Sequence, residues 1–237
     1  MMRLLSVSKI NRRCRAIKHG NNPLNLLNGY FSQQNIKVDF KGLENIPVKG
    51  PFLIVSNHPF GFLDGLILLR LLLNRFPKVK ITANYLLKRI ETFSEYAIAV
   101  NPFEKIGKKS MGGTQKVKDH LKSKQPVVLF PAGLVSTTYD GLSKPARDRE
   151  WGKSSKNLIL NAGVSVIPIF FEGQNSKLFH LAGKIHPVLR TILIPSEFAK
   201  VNNKTVNCHI GLPFDQKLVK QGNAEHLYNL FKKDLKY

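Results

Sequence analysis

From Ile36 onward the chain alternates short apolar runs with helical stretches, and this alternation restricts the fold more than any other feature of the sequence. Strands are expected at 38–40, 52–56, 79–83, 96–100, 127–130 and 164–171, with a late one at 206–210. Helices are expected at 61–76, 85–93, 113–122 and 153–162, and a closing one at 224–233. Strands separated by helices predict an α/β fold: a single domain with a mostly parallel central sheet flanked by helices. A length of 237 residues suits one such domain, placed at 36–237, behind a basic N-terminal segment at 1–35.

That first segment differs in composition from the rest. Up to residue 38 it carries Arg3, Lys9, Arg12, Arg13, Arg15, Lys18 and Lys37 and no carboxylate, Asp39 being the first. Leu4, Leu5, Val7, Ile10 and Ile17, then Leu24, Leu26 and Leu27, are interspersed among these charges, as in an amphipathic helix lying in a headgroup layer. A solvated basic arm has the same letters. The formal net charge of +22 implies a polyanionic partner: an anionic membrane surface, nucleic acid or an acidic carrier protein. No aromatic-interleaved RNA motif or zinc module accompanies the charge, so no nucleic acid is expected.

The best apolar run, Phe62 to Leu73, has 12 positions and carries Asp64 and Arg70, fewer than the ~18 to 20 a spanning helix needs. A chain of this kind meets a membrane from one side, and a peripheral (monotopic) position on the cytoplasmic face is expected. The two cysteines, Cys14 and Cys208, show no pairing logic and fit a reducing compartment.

In open α/β sheets, ligands gather beyond the carboxyl ends of the strands. Three of the expected strands end in unusual chemistry: Asn57-His58-Pro59, Pro131-Ala132-Gly133, and the loop Glu172 to Ser176. Pro59 pushes His58 into an extended conformation, and Asp64 falls in the first turn of the following helix. A histidine at a strand end with a carboxylate six residues on is the minimum equipment for a general base held in one tautomer. The same residues also read as an ordinary turn followed by a favourable charge at a helix N-terminus.

The turn at Phe130 to Ser136 offers backbone N–H groups to an anion or a developing oxyanion. Ser136, Thr137 and Thr138 add hydroxyls; Lys144, Arg147 and Arg149 follow with Trp151, which suits either a core or a membrane interface. No Gly-x-Ser-x-Gly elbow is present, which disfavours a serine nucleophile, and His180 and His186 lack a metal-site partner, so no metal is expected.

Taken in order, Asn57-His58-Pro-Phe-Gly-Phe-Leu-Asp64, Phe130-Pro-Ala-Gly133 and Val166-Ile-Pro-Ile169 resemble the glycerolphosphate/lysophospholipid acyltransferase family, the PlsC-like enzymes, over roughly Val38 to Pro213. The wording is similar to the branch that includes ornithine-lipid O-acyltransferases and hemolysin-like proteins. The resemblance implies a membrane-associated O-acyltransferase. It would move a fatty acyl chain from an acyl thioester, of acyl carrier protein or coenzyme A, to a lysolipid hydroxyl, with no cofactor. His58 would be the base and Asp64 its partner. Asn57, Gly61, Phe130, Pro131, Gly133 and Ser136 are expected around the substrates, with Lys144, Arg147, Pro168 and Asn175.

The sequence departs from the family pattern in three places. Five residues separate His58 from Asp64 where four are common. The usual Phe-Pro-Glu-Gly-Thr-Arg reads Phe130-Pro-Ala-Gly-Leu-Val135, and the block Tyr96 to Phe103 has no arginine. Losing two phosphate-reading positions disfavours lysophosphatidic acid as acceptor and favours an amino-acid lysolipid, with Lys105, Lys108 and Arg147 as substitutes. The altered third motif also admits a non-catalytic lipid-binding or membrane-remodelling protein on the same scaffold.

Overall fold

The structure, a computed structural model, describes residues 2–17, 22–83, 91–100 and 111–214. Two helices, α1 (Met2–Ala16) and α2 (Pro23–Gln33), precede β1 (Ile36–Lys41), β2 (Phe52–Ser56), α3 (Phe62–Leu73), β3 (Lys80–Ala83) and β4 (Ala97–Ala99). There follow α4 (Met111–Lys122), β5 (Val127–Leu129), α5 (Lys153–Leu160), β6 (Ser165–Phe171), α6 (Lys177–Ile185), α7 (Pro187–Lys200) and β7 (Lys204–Ile210).

The strands form one seven-stranded sheet in the order β1-β7-β6-β2-β5-β3-β4. Every pairing is parallel except β6 with β7, where Ile169 opposes Ile210 and Phe171 opposes Cys208. The expected α/β class and mostly parallel sheet are therefore observed, with β1 and β7 running against the other five. β2 lies at the centre and is buried along its whole length. Its side chains divide by the period of two: Phe52 and Ile54 join the core beneath α1, α2, α3 and α7, whereas Leu53 and Val55 join the one formed with Val117, Leu121, Trp151, Leu158 and Ile159. Trp151 is thus a core residue.

Most expected elements appear within a few residues of their places. The expected helix at 85–93 falls largely outside the described residues, and Glu91–Tyr96 is a short 3-10 segment; the helix expected at 224–233 lies outside them altogether. The stretch after Ser176, for which the sequence suggests no element, forms α6 and α7. The Ser176 hydroxyl caps α6 by accepting from Phe179 N at 3.2 Å, and the His186 ring caps α7, with Pro187 in its first turn.

The N-terminal helices are part of the same body. Ile10, Cys14, Ile17, Leu26, Leu27, Tyr30 and Phe31 are buried in the larger core, so these residues of the basic segment face protein. Tyr30 stacks on Phe198 of α7 with centroids 5.1 Å apart, and Arg13 Nη1 donates to the carbonyl of Ala199 at 2.9 Å, satisfying an acceptor at the end of α7.

Candidate active site

β6, β2 and β5 are neighbours, so their carboxyl ends bring the three unusual turns of the sequence together. β2 ends at Ser56, and Asn57 then extends the ladder with its side chain: Nδ2 donates to Phe171 O at 2.9 Å, and Oδ1 accepts from Phe171 N at 2.8 Å. With both halves of its amide committed to the end of β6, Asn57 fixes the point from which the next residue, His58, departs.

The chain turns back toward α3 at Gly61, whose φ of 79° favours glycine. A Cβ there would stand 3.0 Å from Ile194 Cγ2, so the position is restricted by space as well as by torsion. Asp64, in the first turn of α3, is wholly buried. Its Oδ2 accepts from the N–H groups of Phe60 at 2.9 Å and Gly61 at 3.0 Å. The same oxygen lies 3.0 Å from His58 Nδ1. The residue added between His58 and Asp64 is thus absorbed by the turn, and the two side chains stand at hydrogen-bonding separation. The ring N–H is not aligned with Oδ2 for a well-formed bond, so the contact in this geometry is chiefly electrostatic. Burial pushes the Asp64 carboxyl above the usual carboxylate range, opposed by the His58 contact and the two backbone N–H groups.

A second buried carboxylate, which sequence reading missed, supports the turn from the other side. Asp148 Oδ1 accepts from His58 N at 3.2 Å and from the Ser136 hydroxyl at 2.5 Å, while Ser136 N donates to His58 O at 2.9 Å. Burial raises its pKa to about 6, against the lowering influence of Ser136 and His58. The His58 ring stacks on Phe130 with centroids 4.0 Å apart and planes 25° apart. Phe130 is held through its N–H by Thr82 Oγ1 at 3.3 Å, another contact the sequence did not signal.

Two clefts share His58, Thr82, Ala83, Phe130 and Ile194. One is apolar, completed by Gly61, Phe62, Gly65 and Ile81, with an empty volume of about 370 Å³ including open solvent. The other, about 450 Å³ on the same measure, is lined also by Gly133, Leu134, Val135, Arg190 and Thr191. Of the backbone N–H groups that the turn at Phe130 to Ser136 was expected to offer an oxyanion, that of Gly133 is engaged, donating to Phe130 O at 3.0 Å within the turn. Leu134 and Val135 line the same cleft, and their N–H groups make no hydrogen bond among the described residues.

Of the other residues expected around the substrates, Pro131 is buried in the turn. The Ser136 hydroxyl is taken by Asp148 rather than offered to a headgroup. Pro168 sits inside β6 opposite Val55, where its carbonyl accepts from Gly211 N, and it lines neither cleft. Lys144 is exposed, and Arg147 is half exposed, paired with Asp140 at 3.0 Å and lying over the Tyr139 ring; neither lines a cleft. Asn175 is half-buried in the loop after β6 and also lies outside both clefts. Lys105 and Lys108 lie outside the described residues. Cys14 and Cys208 are free, buried and away from both clefts, and burial pushes both thiols up, Cys14 to about 11. Among the described residues, no group of three or more His, Cys, Asp or Glu could hold a metal.

A family model described as Acyltransferase matches residues 2–213. A protein named lyso-glycine lipid O-acyltransferase from Bacteroides thetaiotaomicron is 29% identical over 208 residues, 85% of this chain and 74% of the relative. One of the same name from Phocaeicola vulgatus is 30% identical over 208 residues, covering 85% and 72%. Among solved structures, the 1-acyl-sn-glycerophosphate (LPA) acyltransferase PlsC from Thermotoga maritima has the same fold. Its TM-score is 0.57 at 19% identity, covering 94% of this chain and 83% of that one.

Proposed function

The chain belongs to this acyltransferase family, and from that premise we propose that it moves a fatty acyl group from an acyl thioester to the hydroxyl of an amino-acid lysolipid at the cytoplasmic face of a membrane. The observation that carries the reading is the His58–Asp64 pair, 3.0 Å apart where two clefts meet. Nδ1 faces the carboxylate, which leaves Nε2 to take the proton of the acceptor hydroxyl. The hydroxyl oxygen attacks the thioester carbonyl, the carbonyl electrons move onto oxygen, and the tetrahedral oxyanion collapses with loss of thiolate. The imidazolium returns its proton to the sulfur. Asp64 stabilises the imidazolium between these two transfers, and the free N–H groups of Leu134 and Val135 are the candidate oxyanion donors. The apolar cleft suits an acyl chain, and the relatives' names favour a glycine-type acceptor over a phosphate.

Membrane attachment is supported by an exposed apolar row. Leu178, Leu181 and Ile185 recur along one face of α6, and Val188 and Leu189 continue it onto α7, beside Lys177 and Lys184. α7 also supplies Arg190, Thr191 and Ile194 to the clefts, so a bilayer on this face would present lipid next to the site.

The test is acyl transfer by wild type and His58→Ala, each supplied with acyl carrier protein and coenzyme A thioesters, to an N-acylglycine-type lysolipid and to lysophosphatidic acid. Loss of the base is expected to lower transfer by about 10²- to 10⁴-fold. Equal transfer by the two proteins would reject the mechanism.

A further inference from the structure

Arg190 lines the polar cleft, and the reaction chemistry leaves it unused. The residue is 6% exposed. It makes no hydrogen bond and has no carboxylate within ion-pair distance among the described residues, yet it lines the same cleft as His58. The first residue of α7's second turn would ordinarily pack an aliphatic group here. Instead, a guanidinium with five donors stands at the wall of the cleft with no acceptor among the described residues. Its stem is seated against Gly183 of α6, where a Cβ would approach Arg190 Cδ to 2.9 Å. The small residue therefore makes room for it.

A buried, unpaired cation lowers stability, and structural arginines in such places are normally paired. Its charge is better explained by an anion that arrives with a ligand. We propose that Arg190 binds the carboxylate of the acceptor's amino-acid headgroup and so selects the acceptor; the inference rests on the proposed acyl transfer and deepens it. A lysolipid amide-linked to an amino acid keeps one free carboxylate, and one buried +1 group is neutralised by one such anion. A phosphate monoester, at about −1.5 to −2, would bring more negative charge than Arg190 alone balances. The other arginines nearby are engaged: Arg149 Nε donates to Ala132 O at 2.7 Å, and Arg147 pairs with Asp140. Guanidinium and carboxylate match as a planar, two-bond pair, and with His58 in the same cleft, anchoring the headgroup fixes the hydroxyl relative to its base.

The test compares wild type, Arg190→Gln and Arg190→Lys on an N-acylglycine lysolipid, its methyl ester and lysophosphatidic acid, with melting temperatures alongside. Wild type is expected to prefer the free acid to the ester. Arg190→Gln is expected to lower kcat/KM for the acid by about 10- to 100-fold more than for the ester, so that the acid-to-ester ratio falls, and to melt no lower than wild type. Arg190→Lys should recover part of the acid preference. An unchanged acid-to-ester ratio in a folded Arg190→Gln protein overturns the assignment, as does a loss confined to lysophosphatidic acid. Binding of the acid and the ester to His58→Ala, measured calorimetrically, separates the two readings. A retained preference for the acid, abolished by adding Arg190→Gln, supports the carboxylate site even if wild type transfers no acyl group, a result that would reject only the acyltransfer reading.

Discussion

At the scale of the residue, the site is a histidine between two buried carboxylates of different duty. Asp64 faces the ring, and Asp148 holds the backbone that carries it. In the unfolded chain Asp148 loses its proton near its usual value of 3.8, and in the folded protein near 6. Between those values the folded state holds the additional proton, so this group's contribution to stability declines as pH rises through the window. Asn at 148 keeps an oxygen for the His58 N–H and does not ionise. The melting temperature of Asp148→Asn relative to wild type is therefore expected to rise from about pH 4 to about pH 6 and then level off. A difference that stays flat across that range would show that the carboxyl does not titrate there. How much of this was legible in the sequence follows from chain separation. His58 and Asp64 could be paired because a single turn joins them; Asp148 reaches that turn, and Thr82 reaches Phe130 under the His58 ring, from distant segments, and no local spacing announces them.

Among the elements, the strands were readable because β2 and β6 are nearly continuous apolar runs bounded by turns, as buried parallel strands must be. Helices α6 and α7 were not, since Pro187 and Pro195 punctuate a stretch that the helical period alone would join. The cost of missing them is functional, because α7 brings Arg190 and Ile194 to the clefts and α6 carries the exposed apolar row. Ile185 is 73% exposed and Leu181 46%, so replacing both with Glu should cost the fold little. It removes apolar area and adds negative charge on the face proposed to meet the bilayer. Sedimentation with anionic vesicles is expected to fall about tenfold or more. Unchanged vesicle binding would move the membrane contact to another face.

For the molecule as a whole, a charge of +22 narrowed the class of partner without locating a surface, since charge counts carry no geometry. Several apolar residues of the basic N-terminal segment turned out to serve the core, because Ile10, Cys14 and Ile17 recur at helical spacing as well for burial in protein as for burial in lipid. One arrangement reaches beyond anatomy. The two clefts converge on a single imidazole, and among the described residues neither cleft is lined by a cysteine or a serine on which an acyl group could wait. In the proposed reaction donor and acceptor therefore occupy the protein together, with no covalent stage between them. Initial rates with both substrates varied should give intersecting double-reciprocal lines, with no partial exchange between thioester and free thiol in the absence of acceptor. Parallel lines would mean that a covalent acyl carrier exists in this chain. A catalyst working by the proposed reaction turns over only when thioester and lysolipid are present at once, so the shared base would act as a coincidence detector for the supply of its two substrates.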